Sequence, residues 1–243
     1  MIFHQWQRYV VIRIKGMEAE KSKNYYQRFE EQMKCGAGQK LLLHACCAPC
    51  SSHCLEVLCG TFDVTVFFYN PNIDTAEEEK KRFEELIRFT KEAPFAGNVK
   101  LIEEPYDPSP FLALAEGREQ EPERGSRCYD CYKLRLEKTA RYAMEHGFDC
   151  FTTTLSISPY KNATWLNEIG KALEEQLILE QFKSEQIEKG NVPYFLFSDF
   201  KKKNGYKRSI ELSGEYGLYR QDYCGCRFSR EERDRKRESM KSE

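Results

Sequence analysis

A near-continuous apolar run, Lys40 to Ala45, stops at two adjacent cysteines and passes into "CCAPCSSHCLEVL". A strand that is apolar without alternation is one covered on both faces, as in a parallel sheet. Pro49, Ser51 and Ser52 suit the first turn of a helix. The same succession recurs along the chain. Asp63 to Tyr69 is rich in Val and Phe, and is followed by the turn "NPNI" and by "DTAEEEKKRFEELIRFTKEA", which Asp74 or Thr75 caps and whose acidic first turn suits the helix dipole. "VKLIEEPYD" predicts a third strand, with a helix from about Phe111. "CYDCYKLRLEKTARYAMEHG" spaces Tyr132, Leu136, Ala140 and Ala143 as an amphipathic helix ended by Gly147, and "FDCFTTTLSIS" predicts a fourth strand.

Strands separated by helices imply right-handed βαβ units. The expected fold is therefore α/β, a mainly parallel sheet with helices on both faces (Rossmann-like). In such sheets ligands gather beyond the carboxyl ends of the strands, so a metal site is expected there, in the loops after residues 45, 70 and 155. The expected organisation is an N-terminal extension over 1–38, a single α/β catalytic domain over 39–228 and a charged tail over 229–243. In that tail six basic residues face five acidic ones, the composition of a solvated end.

Seven of the eleven cysteines fall into close sets: Cys46, Cys47 and Cys50; Cys128 and Cys131; Cys224 and Cys226. Eleven cysteines in a short secreted chain would mean a disulfide scaffold, but at 243 residues this chain can bury an ordinary core. The stretch "MIFHQWQRYVVIRIKGM" is broken by Arg8, Arg13 and Lys15, and nothing reaches the roughly 18 apolar residues of a membrane span. A cytoplasmic protein with no membrane partner, in a reducing compartment, is expected. Each cysteine set lies at a predicted element end, where two sulfurs can face one centre. Thiols at a strand end and helix start also feel the positive end of the helix dipole, which favours thiolates. Cys46, Cys47, Cys128 and Cys131 supply the four thiolates of a [4Fe-4S] cluster, although spacing alone does not separate iron-sulfur from zinc. Gly225 can take the dihedrals that a strained, reducible Cys224–Cys226 disulfide would need; two more metal ligands are the alternative. His44 and His53 are expected to be hydrogen-bonded packing residues.

A net charge of -1 rules out a chain that is basic overall, so any nucleic-acid contact must be local. Between Asp199 and Arg230, Lys201, Lys202, Lys203, Lys207, Arg208 and Arg220 are interleaved with Tyr206, Tyr216, Tyr219 and Tyr223, a mixture suited to phosphates and unstacked bases. A solvated helical face with packing tyrosines is the bland alternative. Tyr160 and Lys161, in "SPYKN", could join the same edge.

"LLLHACCAPCS", "RCYDCYKLRLE", "FTTTLSISPYKN" and "DFKKKNGYKRSIELSGEYGLYRQDYCGC", in this order, resemble the cobalamin-independent epoxyqueuosine reductases, which complete queuosine at the tRNA wobble position. The resemblance spans roughly Lys40 to Arg227. It implies reductive removal of the epoxide oxygen from epoxyqueuosine in the anticodon loop of tRNA, giving queuosine and water. It also implies a [4Fe-4S] cluster on Cys46, Cys47, Cys128 and Cys131, a redox-active pair at Cys224 and Cys226, and an electron donor that no motif identifies. A second iron is associated with the family, and Cys50, Cys224, Cys226 and Asp130 or Asp222 are available for it. Asp222 and Tyr223 are candidate proton donors by adjacency. Two other functions compete. A nucleotide-activating tRNA-modifying enzyme would need a phosphate-cradling first loop, and "CCAPCS" lacks its glycines. A zinc-stabilised RNA-binding module would use the cysteines structurally.

Overall fold

The computed structural model describes residues 24–183 and 192–240. The first 23 residues of the predicted extension and the last three of the predicted tail lie outside them. Strands β1 (Lys40–Ala45), β2 (Asp63–Phe68), β3 (Lys100–Glu103), β4 (Cys150–Thr153) and β5 (Tyr194–Phe195) form one sheet in the order β3-β2-β1-β4-β5, with every pairing parallel. The helices are α1 (Tyr25–Cys35), α2 (Ala48–Leu58), α3 (Ala76–Glu92), α4 (Ser109–Ala115), α5 (Ser126–Glu145), α6 (Ala163–Lys183), α7 (Gly205–Glu215) and α8 (Arg227–Ser239). The α/β fold with a parallel sheet is borne out.

Side-chain alternation along each strand feeds two cores. Leu41, Leu43 and Ala45 of β1, with Val64, Val66 and Phe68 of β2, pack against Phe29 of α1, Leu55 and Leu58 of α2 and Leu86 and Phe89 of α3. Leu42, Phe67, Phe151 and Phe195 face the other way, onto Leu136 and Ala140 of α5 and Leu166, Ile169 and Leu173 of α6. Helices therefore cover both faces, which is why β1 reads as apolar without alternation. Thr75 is the cap of α3, its hydroxyl accepting from the Glu78 N–H at 3.2 Å.

Three elements differ from their sequence expectation. The third strand is only Lys100–Glu103, and the fourth ends at Thr153. There the Thr153 hydroxyl accepts from the Leu155 N–H at 3.1 Å and starts a 3-10 turn over Thr154–Ile157, so β-branched residues continue past the strand itself. α1, placed in the extension, packs on the sheet. Asn24 and Gln27 close its start by exchanging side-chain-to-backbone hydrogen bonds at 3.0 and 3.1 Å. Further along, the Gln32 amide donates to the Phe195 carbonyl at 2.9 Å and accepts from the Phe197 N–H at 2.9 Å. The Phe195 N–H is taken by Glu174 of α6 at 3.0 Å.

The strand order makes β1 and β4 neighbours whose chains leave in opposite directions, so the crevice of the fold opens beyond their carboxyl ends. Among the described residues no helix is long and apolar enough to cross a membrane.

Gly170 lets α6 lie on β5: a Cβ there would sit 2.3 Å from the buried Phe195 ring. Gly170→Ala should therefore lower stability by about 1–3 kcal/mol, despite alanine's better helix propensity. A thermal melt reads this as a Tm lower by several degrees, and an unchanged Tm would contradict the close packing.

Candidate metal centre

β1 ends at Ala45, whose carbonyl accepts from the Asn70 amide at 2.9 Å. Two residues later Cys47, extended at φ -172° and ψ 159°, opens α2 with Pro49 in its first turn. The Cys46 and Cys47 sulfurs lie 3.8 Å apart, and together with Cys50 they fall within 4.8 Å of one another. The neighbouring side chains serve the helix instead. Ser51 donates to the Cys47 carbonyl at 2.8 Å, Ser52 to the Pro49 carbonyl at 3.0 Å and Cys54 to the Cys50 carbonyl at 3.2 Å. Adjacent cysteines diverge in an extended segment, and the turn into α2 is what brings them together. The hydrogen bonds these three thiols share hold the Cys46 pKa well below the usual thiol range and push those of Cys47 and Cys50 up.

The second set lies on the first turn of α5. Cys128 packs in the same apolar layer as Cys46, Cys47 and Cys50, and its sulfur accepts from the Arg124 N–H at 3.4 Å. Arg124 reaches it from a left-handed backbone conformation, φ 72°. Cys131 packs with Cys226, Phe111 and Phe228. Burial raises both thiols of this helix, Cys131 to about 12. One turn further on, Arg135 is buried beneath them.

The third set is held by its glycine. Gly225 sits at φ +119°, and a Cβ there would meet Arg82 Nη1 at 3.0 Å, so both backbone and space demand glycine. The Asp74 N–H donates to the Gly225 carbonyl at 3.0 Å, and the Ser229 hydroxyl accepts from the Cys224 N–H at 3.2 Å while donating to the Cys226 carbonyl at 3.0 Å. Cys224 and Cys226 are free thiols here, as are all the cysteines. Burial raises the Cys226 thiol to about 11. Lys161 Nζ approaches Cys224 Sγ to 3.1 Å. Burial works against the charge of Lys161, but the negative groups around it, Cys224 foremost, outweigh it and hold its pKa above the usual lysine range.

A cavity of about 790 Å³ opens over this cluster, with Cys46, Cys47, Cys50 and Cys224 at its floor. Its lining carries seven basic side chains against three acidic ones, which suits an anionic ligand. Tyr160, 60% exposed with Arg124 over its ring, stands at the cavity wall. Tyr206 and Tyr223 line it too, and burial raises the Tyr223 phenol to about 12, so it keeps its proton at neutral pH.

These motif blocks coincide with a known family. Residues 41–232 match the family model described as "Epoxyqueuosine reductase QueH". The chain belongs to the QueH family. A relative named Epoxyqueuosine reductase QueH from Streptococcus pyogenes serotype M1 is 39% identical over 211 residues, 84% of this chain and 77% of its own length. The QueH of Staphylococcus epidermidis is 41% identical over 198 residues, covering 80% and 77% of the two chains. That of Thermotoga maritima is 34% identical over 197 residues, covering 81% and 93%. The resemblance drawn from the cysteine blocks is thereby borne out.

Cys46, Cys47 and Cys50 form a donor group that can hold a metal ion, whereas Cys128 and Cys131 of the expected cluster set lie outside that group and pack beside it. The two carboxylates considered for a second iron are engaged by arginines. Asp130 accepts from Arg118 at 2.7 Å, and Asp222 from Arg233 and Arg237. The predicted RNA contacts separate. Arg220 lines the cavity, whereas Lys201 turns onto the Ser156 carbonyl at 2.8 Å, Lys203 pairs with Glu30 at 2.7 Å and Arg208 with Glu56 at 2.6 Å. Lys202 and Lys207 are exposed away from it. Lys161, grouped with Tyr160 as an edge residue, is half-buried in the cavity lining with its Nζ on the Cys224 sulfur.

Arg82, Arg124, Arg135 and the α8 residues Arg233, Lys236 and Arg237 are absent from the sequence-derived set. Arg82 and Arg135 had a signal: each occupies the apolar stripe of its helix, where a cation is out of place. Ser229, Glu232, Arg233, Lys236, Arg237 and Met240 recur at helical spacing and present one face of α8 to the cavity.

Cys46→Ser should remove most of the metal that the purified protein carries, while Cys59→Ser, at the far end of α2, should leave metal content unchanged. Elemental analysis of anaerobically purified variants checks this, and equal losses would argue against the assigned sulfurs.

Proposed function

We propose that this chain reduces epoxyqueuosine to queuosine in the anticodon loop of tRNA, using a [4Fe-4S] cluster on Cys46, Cys47, Cys128 and Cys131. The observation that carries this proposal is the grouping of Cys46, Cys47 and Cys50, with Cys224, in the lining of one basic cavity, in a chain of the QueH family; Cys128 and Cys131 pack in the apolar clusters beside it. Removing an epoxide oxygen breaks two C–O bonds, forms a C=C bond and consumes two electrons and two protons, releasing water. When bound, such a cluster supplies electrons one at a time from an external donor.

The side chains account for the rest. Arg220 and the basic face of α8 meet backbone phosphates, while Tyr160 at the cavity wall offers a ring for an unstacked base. At about 790 Å³, with Cys46, Cys47, Cys50 and Cys224 in its lining, the cavity has room for one extruded nucleotide beside the sulfurs. Tyr223, protonated and 3.4 Å from Asp74, holds a proton at the cavity wall, and Asp222 beside it anchors Arg233 and Arg237. Cys224 and Cys226 make up the electron pair, either as a dithiol that closes to a disulfide or as ligands, with Cys50, of a second iron. Their separation from the α2 cysteines in sequence and their meeting in space support a joint role.

Iron, sulfide and zinc analysis of anaerobically purified protein tests the cofactor. At least four irons with about four sulfides per chain and a visible band bleached by dithionite are expected; zinc without sulfide overturns the cluster. For the dithiol role, Cys224→Ser should lose turnover of epoxyqueuosine-containing tRNA by at least tenfold while still binding it, and full turnover would remove Cys224 from the mechanism.

A further inference from the structure

Two cations beside the sulfurs, the buried Arg135 and the half-buried Lys161, make no ion pair with a carboxylate among the described residues. Lys161 Nζ lies 3.1 Å from Cys224 Sγ and makes no ion pair with an acid among the described residues. Arg135, 1% exposed, donates from Nε to the Cys131 carbonyl at 3.2 Å, and its Nη2 has no hydrogen-bond partner. Arg82, also 1% exposed, is tied to Glu78 at 2.7 Å and reaches the Cys224 carbonyl at 3.4 Å, and its Nη2 too is unpartnered. Burying a guanidinium or ammonium without a counter-charge is strongly unfavourable, and so is leaving its N–H groups unsatisfied. An aliphatic side chain at position 135 would continue the apolar stripe of α5 at no such cost. The acid-type groups that interact with them are sulfurs and one phenol: Cys131, Cys224, Cys46 and Tyr132 for Arg135, and Cys224, Tyr132 and Cys46 for Lys161.

We propose that Lys161 and Arg135 are the fixed counter-cations of the metal-bound cysteine centre, placed to neutralise its thiolate charge and so to favour both metal retention and reduction. This rests on the metal-centre assignment of the preceding section. Four thiolates leave a bound centre with net negative charge, and each added electron increases it. A fixed cation a few ångströms away stabilises the more negative state by more than the less negative one, so the centre accepts an electron more readily. Arg135 and Lys161 are positioning residues that act through the sulfurs, Arg135 from beneath them and Lys161 from the cavity lining. Lys161 is thus part of the centre itself rather than of an RNA-binding edge.

The test compares full-length parent, Lys161→Met and Lys161→Arg after anaerobic reconstitution, by iron and sulfide content and by a redox titration followed in the visible spectrum. At an ambient potential that half-reduces the parent, the ratio of reduced to oxidised centre in Lys161→Met should fall by roughly tenfold or more. Lys161→Arg, which keeps the charge, should recover most of it. Loss of iron and sulfide from a folded Lys161→Met, recovered in Lys161→Arg, also supports the proposal. An unchanged ratio in loaded Lys161→Met, or a loss that Lys161→Arg does not repair, overturns it. If Lys161→Met loses its far-UV circular dichroism, Arg135→Gln takes its place in the same titration, with the same expected direction. A parent that binds zinc without sulfide defeats the cluster but not the counter-cations. Zinc affinity by chelator competition then decides: about tenfold weaker in Lys161→Met supports them, and equal affinity overturns them. A parent that holds neither metal overturns both.

Discussion

His44 ties together the carboxyl ends of three neighbouring strands. Its Nε2 meets the Tyr69 carbonyl just beyond β2 at 3.1 Å, and its Nδ1 meets Thr153 Oγ1 at the end of β4 at 2.9 Å. A carbonyl can only accept, so Nε2 carries the proton and Nδ1 accepts from the threonine hydroxyl, whose oxygen in turn accepts from the Leu155 N–H at 3.1 Å. Burial and the nearby Arg135 hold the imidazole pKa down at about 3, so this arrangement persists across the physiological range. The cysteine turn after β1 and the 3-10 turn after β4 both spring from this junction. The crevice between them is as well defined as the sheet itself.

Above that junction the charges are layered. Deepest are cations enclosed by sulfur and apolar side chains. Next come the sulfurs, and then a wall of arginines and lysines interrupted by a few acids. Each layer has a different solvent exposure and hence a different effective dielectric, so equal charges act differently. The buried cations act on whatever the sulfurs hold. The wall cations, screened by water and salt, act on an incoming polyanion at longer range and can exchange an internal carboxylate for a phosphate.

Local signals made much of this legible in the sequence. The apolar run at Leu41–Ala45, the helix starts and the paired cysteines all depend on residues close together in the chain, and the sheet assembles them as periodicity and βαβ handedness require. What stayed hidden depends on partners far away. Lys203 and Arg208 read as free basic residues, yet their acids, Glu30 and Glu56, lie 173 and 152 positions away. Net charge alone made residues 229–243 look like a solvated end, although the spacing of Arg233, Lys236 and Arg237 on one face of α8 already described a wall. Lys161 could not have been placed by any local rule, because a lysine after a strand is normally in water. Its place against a sulfur follows from where Cys224 arrives, 63 residues later.

The far edge of the sheet has a separate consequence. β5 is two residues long and pairs with β4 on one side. On the other side Gln32 and Glu174 occupy the backbone groups of Phe195 and the N–H of Phe197. An amide side chain, with its donor and acceptor side by side, imitates the peptide group that a sixth strand would have offered. That edge is thereby closed to the strand of another molecule, and to the sheet-to-sheet growth by which exposed parallel edges aggregate.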